Sequence, residues 1–220
     1  MKSTALDIMH VAYQGEAKFE LTVFLFYCKS KGWFTLQSLN TWMRKDKNWP
    51  EDVPQSRRVR RVRLTGGKVR LGAAEVKTVF SILPRLLRST GTVPMDGSDI
   101  PTMSFLLHHD ILESVCGVQG VDEKGLVFLE TLIKLWKSFF SVAYGWVRPK
   151  THDYMHFVQS VRLFGNMRSY WTFGYESYHK VVKRLYHAGN KKSGFEKWVL
   201  EDLYFHFMQL NMNIQAGRKV

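Results

Sequence analysis

Residues 122–144, DEKGLVFLETLIKLWKSFFSVAY, decide the fold that the sequence predicts. Apolar side chains recur along this stretch at helical spacing and indicate one broad apolar face. That face comprises Leu126, Phe128, Leu129, Leu132, Ile133, Leu135, Trp136, Phe139 and Phe140. Such a helix has to be covered on its apolar face, so we expect it in the core. Apolar residues make up 45% of the chain, enough to supply the cover, and wholesale disorder is not expected.

Helical patterns continue on both sides of this stretch. They cover residues 16–30, 35–45, 73–87 and 102–116 before it, and residues 150–164, 173–187 and 195–212 after it. Thr35 is a suitable N-cap, and Pro84 is expected to disturb its helix. Cys28 and Cys116 lie within apolar patterns and are expected to be buried thiols. The sequence therefore predicts a mainly α fold with little sheet.

Positive charge is the strongest indication of function. The chain has 32 lysines and arginines against 19 acidic residues, a formal net charge of +13. A field of this sign attracts polyanions, of which nucleic acid is the most common and an acidic membrane surface the second. No apolar run approaches the length of a membrane span, and the N-terminus has no secretory pattern. We therefore expect an intracellular protein without a membrane partner.

The densest positive patch is residues 56–71, called here the basic arm. Its cations alternate with valines and leucines on both sides of Thr65-Gly66-Gly67, which predicts a basic hairpin or an exposed arm. The planar guanidinium group can donate two hydrogen bonds to one phosphate, so we predict contact with nucleic acid. A solvated charge run or a nuclear-import signal is the alternative. The cations are Arg57, Arg58, Arg60, Arg61, Arg63, Lys68 and Arg70.

Three short segments combine acids with histidines: residues 7–10, 149–156 and 176–179. His152 and His156 are one helical turn apart, so both could face one ligand. The zinc-protease helix needs Glu at the position of Asp153, which argues against that chemistry. Imidazoles that are hydrogen-bonded inside the fold, or that lie beside a metal site, remain as roles. Glu176 shares a predicted helix face with cations, so it either holds a divalent cation or pairs on a solvated face.

Together these segments resemble the end of eukaryotic DDE-type transposases of the CACTA-like and KDZ-like groups. The resemblance lies in Pro149-Lys150-x-His152-x-x-x-His156, in Val161-Arg162-Leu163-Phe164-Gly165, and in Trp171-Thr172-x-x-x-Glu176-x-x-His179. Near the start, Leu6-Asp7-Ile8-Met9-His10 is similar to the Asp-x-x-His segment of the same enzymes. The resemblance implies a remnant of an RNase H-like core in residues 1–32. It further implies a helical insertion in residues 33–147 and a C-terminal helical part of the core in residues 148–220.

For the full-length enzyme the resemblance implies metal-dependent DNA cleavage and strand transfer with three carboxylates and Mg²⁺ or Mn²⁺. Glu176 would be the terminal catalytic acid. Asp7 would be the second catalytic Asp or the acid of the neighbouring Asp-x-x-His element, and both acids would bind metal. The DNA, transposon ends or target, would meet the basic arm and a C-terminal patch. The supporting histidines would be His10, His152, His156 and His179, and the patch Lys180, Lys183 and Arg184.

The first catalytic Asp is expected on a strand before residue 1. We therefore expect the chain alone to be inactive, as a truncated copy, a decayed copy or a fragment, with no metal necessarily bound. A nuclear location follows from the resemblance, and a homo-oligomer stays open. One alternative is a non-catalytic helical nucleic-acid-binding protein. Another is a helical metal enzyme built on His152, His156, Glu176 and His179.

Overall fold

The structure is a computed structural model. It describes residues 8–46, 48–49, 59, 61–117, 122–145, 147–165 and 167. The helices predicted at residues 173–187 and 195–212 lie outside this set. Within it the fold is mainly α, as predicted, and the sheet consists of one short hairpin.

The elements follow one another along the chain as helices interrupted by that hairpin. A π-helix, Met9–Glu16, leads directly into α1, Ala17–Ser30. The remaining elements are α2, Leu36–Lys45; β1, Leu64–Thr65; β2, Lys68–Val69; α3, Ala73–Thr90; α4, Ile100–Gly117; α5, Glu123–Tyr144; α6, Pro149–Asp153; a 3₁₀ turn, Tyr154–His156; and α7, Phe157–Phe164.

Local sequence signals account for several helix ends. The Thr35 hydroxyl accepts a hydrogen bond from the Ser38 amide, and the Ser38 hydroxyl accepts one from the Thr35 amide, which confirms the predicted N-cap. α5 begins where the Asp122 carboxylate accepts from the Gly125 amide and ends at Gly145 in the left-handed conformation. α3 runs on through Pro84 to Thr90, six residues beyond the proline.

The core lies where α4 and α5 pack along each other, with the π-helix, α1 and α3 around them. On α5 the buried face is narrower than the sequence predicts, because Phe128 is 60% exposed and Leu135 is 43% exposed. These two residues are seven positions apart and lie on the side of the helix away from the core. The buried face consists of Leu126, Leu129, Leu132, Ile133, Trp136 and Phe140. Cys28 and Cys116 are buried thiols, as predicted.

Phe105 joins three helices through its ring. It stacks on Phe24 of α1 with ring centroids 4.4 Å apart and planes at 4°. On another side it meets Phe80 of α3 at 4.6 Å in a tilted arrangement. All three rings are essentially inaccessible to solvent. Aromatic pairs of this kind contribute about 0.5–1.5 kcal/mol beyond the apolar area that they bury.

The described part of the basic arm is a hairpin that is bound to the helices. Leu64 pairs with Val69 across a two-residue turn at Gly66-Gly67, whose φ angles of 57° and 69° favour glycine. The Val69 amide donates to the Thr22 hydroxyl at 3.3 Å. The predicted hairpin is therefore confirmed for residues 64–69.

Replacing Phe105 by Ala should lower the free energy of unfolding by about 3–5 kcal/mol, because the cavity would lie between two other buried rings. Urea denaturation followed by far-UV circular dichroism measures this loss. The matched control is Phe128→Ala on the exposed side of α5, which should change stability by about 0.5 kcal/mol or less. Equal losses in the two variants would contradict the assigned position of the core.

Candidate nucleic-acid interface

A groove lies between α2 and the segment of the basic arm that leads into β1. Asn40 fixes the arm to the helix, since its amide donates to the Val62 carbonyl at 3.1 Å and accepts from the Val62 amide at 2.7 Å. The groove has a volume of about 600 Å³. We call it the arginine groove, and its lining is Leu36, Gln37, Asn40, Arg44, Arg61, Val62, Arg63, Leu64 and Thr65.

Alternation along the arm directs the cations into this groove. Val62 is buried, whereas its neighbours Arg61 and Arg63 lie on the opposite side of the segment, where they are exposed and line the groove. From the helix side, Arg44 is oriented by two hydrogen bonds, one from Nε to the Asn40 carbonyl and one from Nη2 to the Thr41 hydroxyl, both 3.2 Å. Three arginines, one from α2 and two from the arm, therefore line one groove.

The described residues of the lining include no acid, so none of them balances the charge of the three arginines. Asp46 is the described acid closest to Arg44 in sequence, and it is held elsewhere. Arg85 of α3 donates to both Asp46 oxygens, at 2.9 and 2.5 Å, and also to the Asn48 carbonyl at 2.6 Å. Arg61 and Arg63 make no ion pair with any acid that the structure describes.

The other predicted DNA-binding residues fall into two groups. Lys68 and Arg70 are exposed near the hairpin turn, and the Arg70 amide donates to the Arg63 carbonyl at 3.0 Å. The remaining six lie outside the described residues, so their role stays a prediction: Arg57, Arg58, Arg60, Lys180, Lys183 and Arg184.

The predicted catalytic acids, Asp7 and Glu176, also lie outside the described residues, as does His179. Their metal-binding role stays a prediction. Within the described part of the chain, no three His, Cys, Asp or Glu side chains are arranged to hold a metal ion. His10, His152 and His156 are described, and all three are exposed.

Two of the motif segments, 140 residues apart in sequence, lie against each other. The Lys150 ammonium donates to the His10 carbonyl at 3.0 Å. The Lys150 side chain also passes so close to Gly15 that a Cβ atom there would lie 2.8 Å from Lys150 Cδ. Segment 9–16 is a π-helix, and Gly15 departs from helical geometry within it. π-Helical turns are rare and occur often at functional sites.

A buried polar network, centred on Glu20, was not foreseen from the sequence. Its carboxylate accepts hydrogen bonds from the Ser104 hydroxyl at 2.5 Å and the Trp136 indole at 3.2 Å, and it contacts His108 Nδ1. On the other ring nitrogen of His108, the Tyr154 hydroxyl lies 2.6 Å away. The only signals were one acid and one histidine inside apolar helical patterns, which do not reveal that they pair.

Glu16, one turn before Glu20, is also buried, but it lacks hydrogen bonds of the kind that Glu20 accepts. Neither of its carboxylate oxygens has a hydrogen-bond partner among the described residues. The Arg148 guanidinium is 3.6 Å away, an ion-pair distance. Burial raises the pKa of Glu16 from 4.5 to about 7, although the positive charge of Arg148 acts in the opposite direction.

Comparison with known proteins identifies no relative of this chain. No protein-family model matches the chain, and no curated protein or solved structure matches it. None of the helices that the structure describes is both long enough and apolar enough to cross a membrane.

Glu16→Gln should flatten the pH dependence of stability. Because the folded pKa of about 7 exceeds the unfolded value of 4.5, the stability contributed by Glu16 is fully present below 4.5 and is lost as pH rises through 7. Relative to wild type, the variant should gain on the order of 2–3 kcal/mol between about pH 4.5 and pH 8. Urea unfolding at a series of pH values measures the difference, and parallel curves for the two proteins would contradict it.

Proposed function

We propose that this chain is a DNA-binding part of a DDE-type transposase related to the CACTA-like and KDZ-like groups. The observation that supports DNA binding is the arginine groove. It brings three arginines to one groove, and no acid is among the described residues that line it. Arginine suits phosphate because its planar fork donates two parallel hydrogen bonds.

The lining favours the DNA backbone over the bases. None of its described residues carries an aromatic ring on which a base could stack. Gln37, Asn40 and Thr65 add amide and hydroxyl groups, which contact phosphate and sugar oxygens in many protein–DNA complexes. Binding at this groove would therefore be largely independent of sequence, and it would weaken steeply with salt because bound phosphates release their counterions.

The transposase part of the proposal rests on the sequence motifs, with support from their arrangement. The Pro-Lys-x-His segment and the segment that follows Asp7 are in contact through Lys150, His10 and Gly15. In an enzyme whose catalytic residues come from distant parts of the chain, such segments have to converge. On this proposal Asp7 and Glu176 bind Mg²⁺ or Mn²⁺ within an RNase H-like core, His10, His152, His156 and His179 support them, and the chain alone is inactive.

A non-catalytic helical nucleic-acid-binding protein is the second candidate. The location of the groove favours it, because α2 and the basic arm lie in residues 33–147 and the catalytic motifs lie elsewhere. DNA binding at the groove would therefore not need the carboxylates. Both candidates predict a nucleic-acid partner, and they differ in what Asp7 and Glu176 do.

The double variant Arg61→Ala/Arg63→Ala should bind duplex DNA more weakly, with the slope of log K against log salt reduced by about two because two phosphate contacts are lost. Fluorescence anisotropy of a labelled duplex over about 50–200 mM salt measures this. The control Lys29→Ala/Arg88→Ala removes two exposed cations elsewhere and should leave the slope nearly unchanged. Equal effects of the two double variants would show that net charge alone, and not the groove, attracts DNA.

Asp7→Asn and Glu176→Gln separate the two candidates. If the two acids share a metal site, each variant should weaken Mn²⁺ binding without weakening DNA binding at the groove. Electron paramagnetic resonance of free Mn²⁺ measures the first quantity and anisotropy the second. Unchanged Mn²⁺ binding in both variants would exclude the catalytic assignment and leave the non-catalytic candidate.

A further inference from the structure

His152 and His156 form a close pair on the surface. Their Nε2 atoms are 3.3 Å apart, and the ring planes meet at 80° with centroids 5.1 Å apart. Both side chains are exposed, so water reaches the space beside the two nitrogens. The pair spans the 3₁₀ turn Tyr154–His156, which joins α6 to α7.

The separation of the two nitrogens fits one type of metal geometry. Imidazole nitrogens bind Zn²⁺ at about 2.0–2.1 Å, so two of them on a tetrahedral ion are about 3.3–3.4 Å apart. Two nitrogens at right angles on an octahedral or square-planar ion would be closer, at about 2.9 Å. The observed 3.3 Å corresponds to the tetrahedral arrangement.

Buried neighbours fix the backbone that carries the pair. Thr151 directly precedes His152, and Tyr154 lies between the two histidines in sequence. Both residues are fully buried. The Tyr154 hydroxyl is bonded to His108 in the core. Lys150 is bonded to the carbonyl of His10. The turn is therefore held on its inner side, and the two exposed imidazoles start from a fixed backbone.

We propose that His152 and His156 form a binding site for a transition-metal ion of the Zn²⁺ class. Imidazole suits Zn²⁺, Cu²⁺ and Ni²⁺, whereas Mg²⁺ takes oxygen ligands, so this site differs from the carboxylate site of the proposed transposase. The described residues provide no third ligand from a His, Cys, Asp or Glu. In a site formed by these two histidines alone, water would fill the two remaining positions, as in zinc sites that stay open to a further ligand.

The competing explanation is a hydrogen bond between two neutral imidazoles, in which one Nε2–H donates to the other Nε2. That arrangement and a metal site have the same nitrogen separation, but they differ in their response to substitution. A hydrogen-bonded pair needs two imidazoles or comparable polar groups. A metal pair accepts a thiolate in place of one imidazole, because Cys is also a Zn²⁺ ligand.

Isothermal titration calorimetry of the whole chain with ZnCl₂ tests the site, with MgCl₂ as the comparison ion. Wild type should bind one Zn²⁺ at this site, and His156→Ala should weaken that binding at least about tenfold, since losing even an outer-shell partner costs about 10–100-fold. His156→Cys should retain the binding. His109→Ala is the matched control, because the His109 ring is held by Asp110 on α4, and it should bind as wild type does.

Thermal unfolding gives a second readout that does not depend on the calorimetric model. Zn²⁺ should raise the Tm of wild type and of His156→Cys and leave that of His156→Ala unchanged, because a ligand stabilises only the state that binds it. Far-UV circular dichroism confirms that the variants are folded. The proposal is overturned if wild type binds no Zn²⁺, if His156→Ala binds it as tightly as wild type, or if His156→Cys loses it.

Discussion

The rest of the structure depends on the buried carboxylate of Glu20. A carboxylate without solvent is costly unless its oxygens accept hydrogen bonds, and here the donors come from Ser104, Trp136 and His108 on α4 and α5. Through His108 the network reaches Tyr154 on the 3₁₀ turn. Apolar packing alone would allow these helices to slide or rotate by small amounts. Directional bonds to one carboxylate fix α1, α4, α5 and the turn in a single arrangement.

The structural features that the sequence predicts correctly are those that depend on residues close to one another along the chain. The Thr35 cap, the course of α5 and the hairpin at Gly66-Gly67 each follow from a few adjacent residues. The sequence could not predict which apolar residues of α5 would face solvent, because periodicity defines a face and not how much of it other helices cover. Nor could it pair Glu20 with His108, which is 88 positions away. Of the candidate site, Arg61 and Arg63 were predicted, whereas Arg44 joined them only through the fold.

The two buried acids, Glu16 of the π-helix and Glu20 of α1, have different electrostatic surroundings. Glu20 has its hydrogen-bond donors, whereas Glu16 faces only an arginine at 3.6 Å and keeps a raised pKa. Arg148 and Lys150, which surround this acid and the His10 carbonyl, belong to the same short segment that precedes the histidine pair. Residues 148–156 therefore contact the buried Glu16 at one end and carry the exposed imidazoles of His152 and His156 further along.

The alternation in the basic arm has a consequence for how this gene can change. Val62 and Val69 are buried while Arg61 and Arg63 are exposed, and Asn40 fixes that phase by binding both backbone groups of Val62. A substitution at an outward position alters only the charge that the groove offers. An insertion or deletion of a single codon between Val62 and the Gly66-Gly67 turn would exchange the inward and outward sides of residues 63–65, so that Arg63 would face the protein. We therefore expect this segment to accept a length change of two residues more readily than a change of one, whereas its outward positions should accept substitutions singly.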